Sequence, residues 1–188
     1  SYNERGYGVT VDSSDNIYVT GETYGALDGT NSGERDIFLV KYNSSGTKQW
    51  TKQLGTSSND HGYGVTTDSS GNVYVAGTAL YKFDSSGNQL WSQNPGATSY
   101  GVATDSSGNV YVTGTTAGGL DGNTSSGGSD IFLVKYNSSG TKQWTKQLGT
   151  SSNDLGRGVT VDSSDNIYVM GNTDGGLDGN SNSGGGDI

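Results

Sequence analysis

The chain has no cysteine, one proline and few apolar residues, only 29% of its 188 positions being hydrophobic. Lack of cysteine removes a disulfide framework and any thiolate metal site, and leaves the redox compartment open. So thin an apolar content does not build a helical bundle. Basic residues are also scarce, 10 Lys and Arg against 19 Asp and Glu for a net charge of −9, and they are scattered. That distribution excludes the basic footprint of a nucleic-acid-binding surface, and anionic membranes are disfavoured for the same reason. No apolar run approaches the roughly 18 residues of a transmembrane helix, and no charged-then-apolar signal segment opens the chain, so membrane insertion is not expected.

What the chain has is glycine, 33 residues of it, more than double the usual share of about 7%, and near-literal repetition. The segment DIFLVKYNSSGTKQWTKQLGTSSND runs from Asp36 to Asp60 and recurs unchanged from Asp130 to Asp154. GVTVDSSDNIYV occupies Gly8 to Val19 and again Gly158 to Val169. Copies of DSS[GD]N[IV]YV begin at Asp12, Asp68, Asp105 and Asp162, separated by 56, 37 and 57 residues. A period in this range signals a solenoid or a propeller. The short second unit keeps its strands, GTALYKFDSSGNQLW, and lacks the long Gly/Asn/Ser-rich segment of the others.

Each unit reads as four short strands. The first is GYGVTV or its variant. The second is N[IV]YV-x-G, in which Ile17 and Val19 point one way, Tyr18 and Thr20 the other. The third, IFLVKY from Ile37 and Ile131, is continuously apolar, as a strand buried on both faces would be. The fourth, KQWTKQL, alternates like a half-exposed outer strand. Asp-Ser-Ser-Gly-Asn and Asn-Ser-Ser-Gly-Thr supply a side-chain acceptor for an Asx-type turn and a Gly for positive φ, so strands one and two, and three and four, form hairpins. Four antiparallel strands per unit make a propeller blade. The expected fold is all-β, one β-propeller segment over residues 1–188 with blades near 6–55, 62–95, 100–149 and 156–188, the last incomplete.

The order D-S-S-G-N-V-Y-V-T-G-T, then G-G-L-D-G-N with a Gly-rich run, then D-I-F-L-V-K-Y-N-S-S-G and a Trp, resembles the SBBP β-propeller repeat family over nearly the whole chain. The resemblance implies a bladed all-β ring, usual in long secreted or cell-surface bacterial proteins, and brings no catalytic residues with it. The chain starts on a first strand and reaches Asp187-Ile188 where a third strand begins. About three and a half blades are therefore expected to belong to a larger ring, or to be completed by partner chains, since open strand edges invite aggregation.

Three long loops carry an L-D-G motif: LDGTNSGERD with Asp28 and Asp36, LDGNTSSGGSD with Asp121 and Asp130, and LDGNSNSGGGD with Asp178 and Asp187. Paired carboxylates with Asn, Ser and carbonyl oxygens between them suit calcium. The competing reading is that each Asp caps a turn in a solvated loop; neither an EF-hand nor a G-G-x-G-x-D pattern is present. Asp12, Asp68, Asp105 and Asp162 read as turn formers before Ser-Ser rather than as a ring of carboxylates. Trp50, Trp91 and Trp144 read as packing between a blade edge and its neighbour rather than as a sugar platform, and Tyr18, Tyr74, Tyr111 and Tyr168 as core or inter-blade packing.

No enzyme is expected. His61 is a lone, exposed residue replaced by Leu155 in the near-copy, and no G-x-S-x-G elbow or phosphate-cradling loop occurs. Asn43, Asn123 and Asn137 stand in N-x-[ST] sequons on turns or loops and read as accessible. The leading functional reading is an extracellular or cell-surface scaffold that presents its ring face and loops to other protein chains or to further blades of the same chain, with calcium as its candidate ion. A lectin with one pocket per blade is the alternative, and it would bind glycans; its loops should hold aromatics, and only Tyr24 does. An accessory propeller of a larger enzyme is the third reading.

Overall fold

The computed structural model describes residues 3–28 and 30–188. Ser1 and Tyr2 of the opening link and Gly29 of the first L-D-G loop lie outside the described residues. Fourteen strands among the described residues form antiparallel sheets that follow the repeats. The first sheet is β1 (Glu4–Val11), β2 (Ile17–Thr23), β3 (Asp36–Tyr42) and β4 (Lys48–Leu54), hydrogen-bonded in that order. The second is β5 (Gly62–Thr67), β6 (Val73–Gly77), β7 (Leu80–Phe83) and β8 (Gln89–Gln93). The third is β9 (Thr98–Thr104), β10 (Val110–Thr116), β11 (Asp130–Tyr136) and β12 (Lys142–Leu148); the fourth pairs β13 (Asp154–Val161) with β14 (Ile167–Thr173) and gains an antiparallel bridge from Thr173 to Asp187. The molecule divides into two compact units at Gln93/Asn94, each holding two consecutive repeats.

The hairpins close as their turn chemistry dictates. Asp12 Oδ1 accepts the backbone N–H of Ser14 and of Asn16, both at 2.9 Å, and Asp15 N–H bonds the Asp12 carbonyl at 3.0 Å. Asp68, Asp84, Asp105 and Asp162 repeat the arrangement, and Asn43 and Asn137 reproduce it in the outer hairpins. The fourth turn residue is left-handed: Gly71 and Gly108 have φ of 77° and 75°, while Asp15 and Asp165 hold 62° and 61° without a glycine's freedom.

A register shift at Tyr7 bulges the innermost strand between Gly6 and Gly8. The bulge explains the glycine closing Y-V-x-G: a Cβ on Gly21 would lie 1.8 Å from the Arg5 carbonyl oxygen, and one on Gly114 2.0 Å from that of Thr98.

In the first unit the face of the first sheet turned to the second is a set of cross-strand rows, Tyr18–Lys41–Trp50, Thr20–Leu39–Lys52 and Glu22–Ile37–Leu54. Ile37 and Leu39 are fully buried against Val73, Val75 and Phe83 of the next repeat, so the first blade's third strand forms its core with its neighbour. The third strand is accordingly apolar on both faces, with Ile37 through Val40 all buried.

Candidate functional site

The first row recurs as a pin in each complete blade. Tyr18, Tyr74 and Tyr111 donate their hydroxyls to Asp12, Asp68 and Asp105 at 3.0, 2.8 and 3.0 Å. On the other side each ring meets a tryptophan, Trp50, Trp91 or Trp144, with centroids 6.0, 5.9 and 6.1 Å apart. A lysine, Lys41, Lys82 or Lys135, lies over the tyrosine at 5.3, 5.2 and 5.0 Å, and Lys135 also reaches Asp105 at 3.8 Å. Tyr168 bonds Asp162 in the same way at 3.0 Å. Burial pulls the Asp105 carboxyl upward, but hydrogen bonds from Asn109, Tyr111 and Ser107 carry it below its ordinary value. On Asp162 the Asn166 bonds outweigh burial and, with those of Ser164 and Tyr168, bring it down to about 2. Burial, and then Asp68, push the Tyr74 hydroxyl well above the ordinary phenol range. These aspartates are turn formers, as the sequence implies; the six-residue step from Asp to Tyr and the nine-residue step from Lys to Trp were its unread signal of the pin.

The L-D-G loops give their two carboxylates separate tasks. Leu120 to Asn123 is a tight turn, closed by Asn123 N–H on the Leu120 carbonyl at 3.0 Å, with Asp121 and Gly122 at φ of 51° and 82°. Leu177 to Asn180 repeats it with Asp178 and Gly179 at 49° and 80°. Asp-Gly is the dipeptide such a turn requires. Asp121 then takes Lys142 Nζ at 2.7 Å and the Thr145 hydroxyl, which hold its carboxyl below the usual value. Asp28 is exposed. At the far end of the loops Asp36 and Asp130 are fully buried, each accepting a loop N–H, from Ser32 at 2.8 Å and Ser126 at 2.9 Å, and the outer-strand amide of Gln53 or Gln147. Asp187 accepts Ser183 N–H at 2.7 Å. Among the described residues no three His, Cys, Asp or Glu side chains gather as metal ligands. Asn43, Asn123 and Asn137 are half-buried, and the Asn123 amide already donates to the Leu120 carbonyl at 2.7 Å.

One cluster escaped sequence reasoning. Glu22 is fully buried, yet two guanidinium groups and an imidazole converge on it: Arg5 at 3.4 Å from the opposite position on β1, Arg35 at 3.5 Å from just before β3, and His61 through a short Nδ1 contact from the next repeat. His61, read as exposed and incidental, has a side chain only 21% exposed and stacks on Tyr63 with centroids 5.5 Å apart. Tyr63 in turn meets Tyr7 at 5.4 Å, and Arg35 lies 4.8 Å over Tyr24. The equivalent positions of the third and fourth repeats hold Thr98, Thr115, Ala117, Ser129 and Leu155. Comparing near-copies for where they differ is the signal that finds this cluster, because Glu22, Arg35 and His61 stand at one repeat junction where its twin holds Thr115, Ser129 and Leu155.

In the second unit an open apolar trough of about 400 Å³ is lined by Ile131, Leu133, Leu148 and Met170. Its counterparts in the first unit, Ile37, Leu39 and Leu54, are packed against Val73, Val75, Phe83 and Tyr81, so the trough is blade face in kind rather than a ligand cavity.

The chain is 27% identical over 194 residues to an uncharacterized WD repeat-containing protein of Acanthamoeba polyphaga mimivirus, an alignment covering 89% of this chain and 12% of the relative. It is 25% identical over 190 residues to the regulatory protein FlaEY of Caulobacter vibrioides, covering 79% of this chain and 20% of the relative. The chain thus spans a fifth or less of the curated relatives it matches. Among solved structures, a protein of unknown function from Bacteroides caccae superposes with a TM-score of 0.45 at 12% identity, over 77% of this chain and 67% of the other. The SBBP β-propeller repeat matches at residues 4–27, 49–80, 93–121 and 143–178, once for each of the four repeats described above. With strand order, turn chemistry and pins recurring in step with those matches, the chain belongs to the SBBP β-propeller repeat family.

Proposed function

We propose that this chain is a non-catalytic scaffold of an extracellular or cell-surface protein, whose pinned blades hold loops and inner-strand aromatics out for other protein chains or for further blades. The observation that carries the reading is the second repeat: β6 and β7 are joined across two residues, Thr78 and Ala79, yet the sheet keeps four strands and its Asp68–Tyr74–Lys82–Trp91 pin. The frame is kept where the loop is dropped, so the loop is what varies in use. Net charge of −9 favours solubility in a salty exterior. The scaffold reading does not depend on calcium: in the second long loop Asp130 accepts the Ser126 N–H and Asp121 takes Lys142. The lectin reading draws on Tyr7, 44% exposed beside Tyr63. A glycan array and light scattering of the same sample separate the two. Self-association or capture of further blades without glycan binding is expected; saturable glycan binding lost in Tyr7→Ala would replace the scaffold with the lectin.

A further inference from the structure

We infer that Glu22 is an address residue, which tells the folding chain which of its two identical segments belongs beside β2. The segments Asp36 to Asp60 and Asp130 to Asp154 are the same in all 25 residues, so their own side chains give β2 no means of choosing between them. Identical elements within one polypeptide invite exchange during folding. The first segment is bracketed by Arg35 before it and His61 after it, and both brackets contact Glu22. The second is bracketed by Ser129 and Leu155, and the residue in the place of Glu22 is Thr115, opposite Ile131 as Glu22 is opposite Ile37.

The discrimination works in both directions. Were β2 to pair with the second segment, fully buried Glu22 would face Ser129 and Leu155 and keep only Arg5, which belongs to its own hairpin. A buried charge stripped of partners is strongly unfavourable, whereas a buried pair merely replaced by neutral groups is not. Were β10 to take the first segment, Arg35 and His61 would be desolvated beside Thr115 with no carboxylate. The cluster therefore discriminates between pairings more than it stabilises the correct one, a difference built by penalising the wrong partner.

The test uses cysteine reporters, clean in a chain that has none. Ile17 lies opposite Tyr42 in the native register, and Tyr136 holds the equivalent place in the second segment. Ile17→Cys is combined with Tyr42→Cys or with Tyr136→Cys, and each chain is refolded from denaturant under oxidising conditions. In the natural background the 17–42 disulfide is expected and the 17–136 disulfide is not. In Glu22→Thr/Arg35→Ser/His61→Leu, which copies a neutral set the fold already houses, the 17–136 disulfide is expected to appear beside the 17–42 disulfide, in the smaller amount that its longer loop closure sets, at an unchanged circular dichroism spectrum. Thr115→Glu/Ser129→Arg/Leu155→His, which gives both copies one address, should also lose fidelity, and combining all six substitutions should restore it. Formation of the 17–42 disulfide alone in the first triple variant, or equal formation of both disulfides in the natural background, overturns the proposal.

Discussion

At the scale of the residue, the fold depends on groups whose charge is used internally. Tyr111 is 2% exposed and gives its hydroxyl to Asp105, so Tyr111→Phe removes a hydrogen bond to a charged acceptor and should cost about 1.5–3 kcal/mol, read by denaturant unfolding. Left-handed Asp15 stands where Gly71 and Gly108 stand in sister turns. Asp15→Gly should therefore be neutral or stabilising by up to about 1 kcal/mol, against the usual loss on introducing glycine. The pin aspartates also set the acid limit. Their folded pKa values lie below the ordinary 3.8, to about 2 for Asp162, so the unfolded chain takes up protons first. The stability they confer is complete above the ordinary carboxylate pKa and is lost as pH falls from about 4 towards 2, which melting temperatures measured across that window will show.

At the scale of the element, glycines at the bulge decide whether an inner strand can pair. A Cβ on Gly114 would enter the Thr98 carbonyl and approach Phe132 at 2.9 Å. Gly114→Ala should lower stability by at least the roughly 1–3 kcal/mol of an overpacked site, seen as a fall in denaturant midpoint at constant slope. The strands themselves were legible in the sequence, because period-two alternation, apolar third strands and Asx turns all act locally; the third strand expected from Ile37 runs Asp36–Tyr42. Side-chain pairings across strands were not, since Tyr18, Lys41 and Trp50 become neighbours only once register is fixed. The turn role of Asp-Gly in the long loops shows only once Asn123 N–H is placed on the Leu120 carbonyl. His61 looked incidental because its partner, Glu22, lies 39 residues away.

At the scale of the whole molecule, the first blade completes its core on the second, and the loops are additions to that frame. Millimolar calcium and chelator should therefore give the same melting temperature; a rise with calcium would show a site that binds only the folded chain. The frame itself is tested most directly by shortening a loop. Replacing residues 117–129 with Asn-Gly joins Thr116 to Asp130, which already pair, through a two-residue hairpin turn. The replacement forfeits the burial of Leu120, the Ser126 N–H bond to buried Asp130 and the Asp154 N–H bond to the Ser129 carbonyl, together about 4–6 kcal/mol or roughly 8–24 °C in a chain of this size. The measurement is thermal unfolding of that variant followed by tryptophan fluorescence. The account predicts one cooperative transition lowered by no more than that amount. Loss of the cooperative transition would contradict it, because the loop would then be part of what holds the blade together.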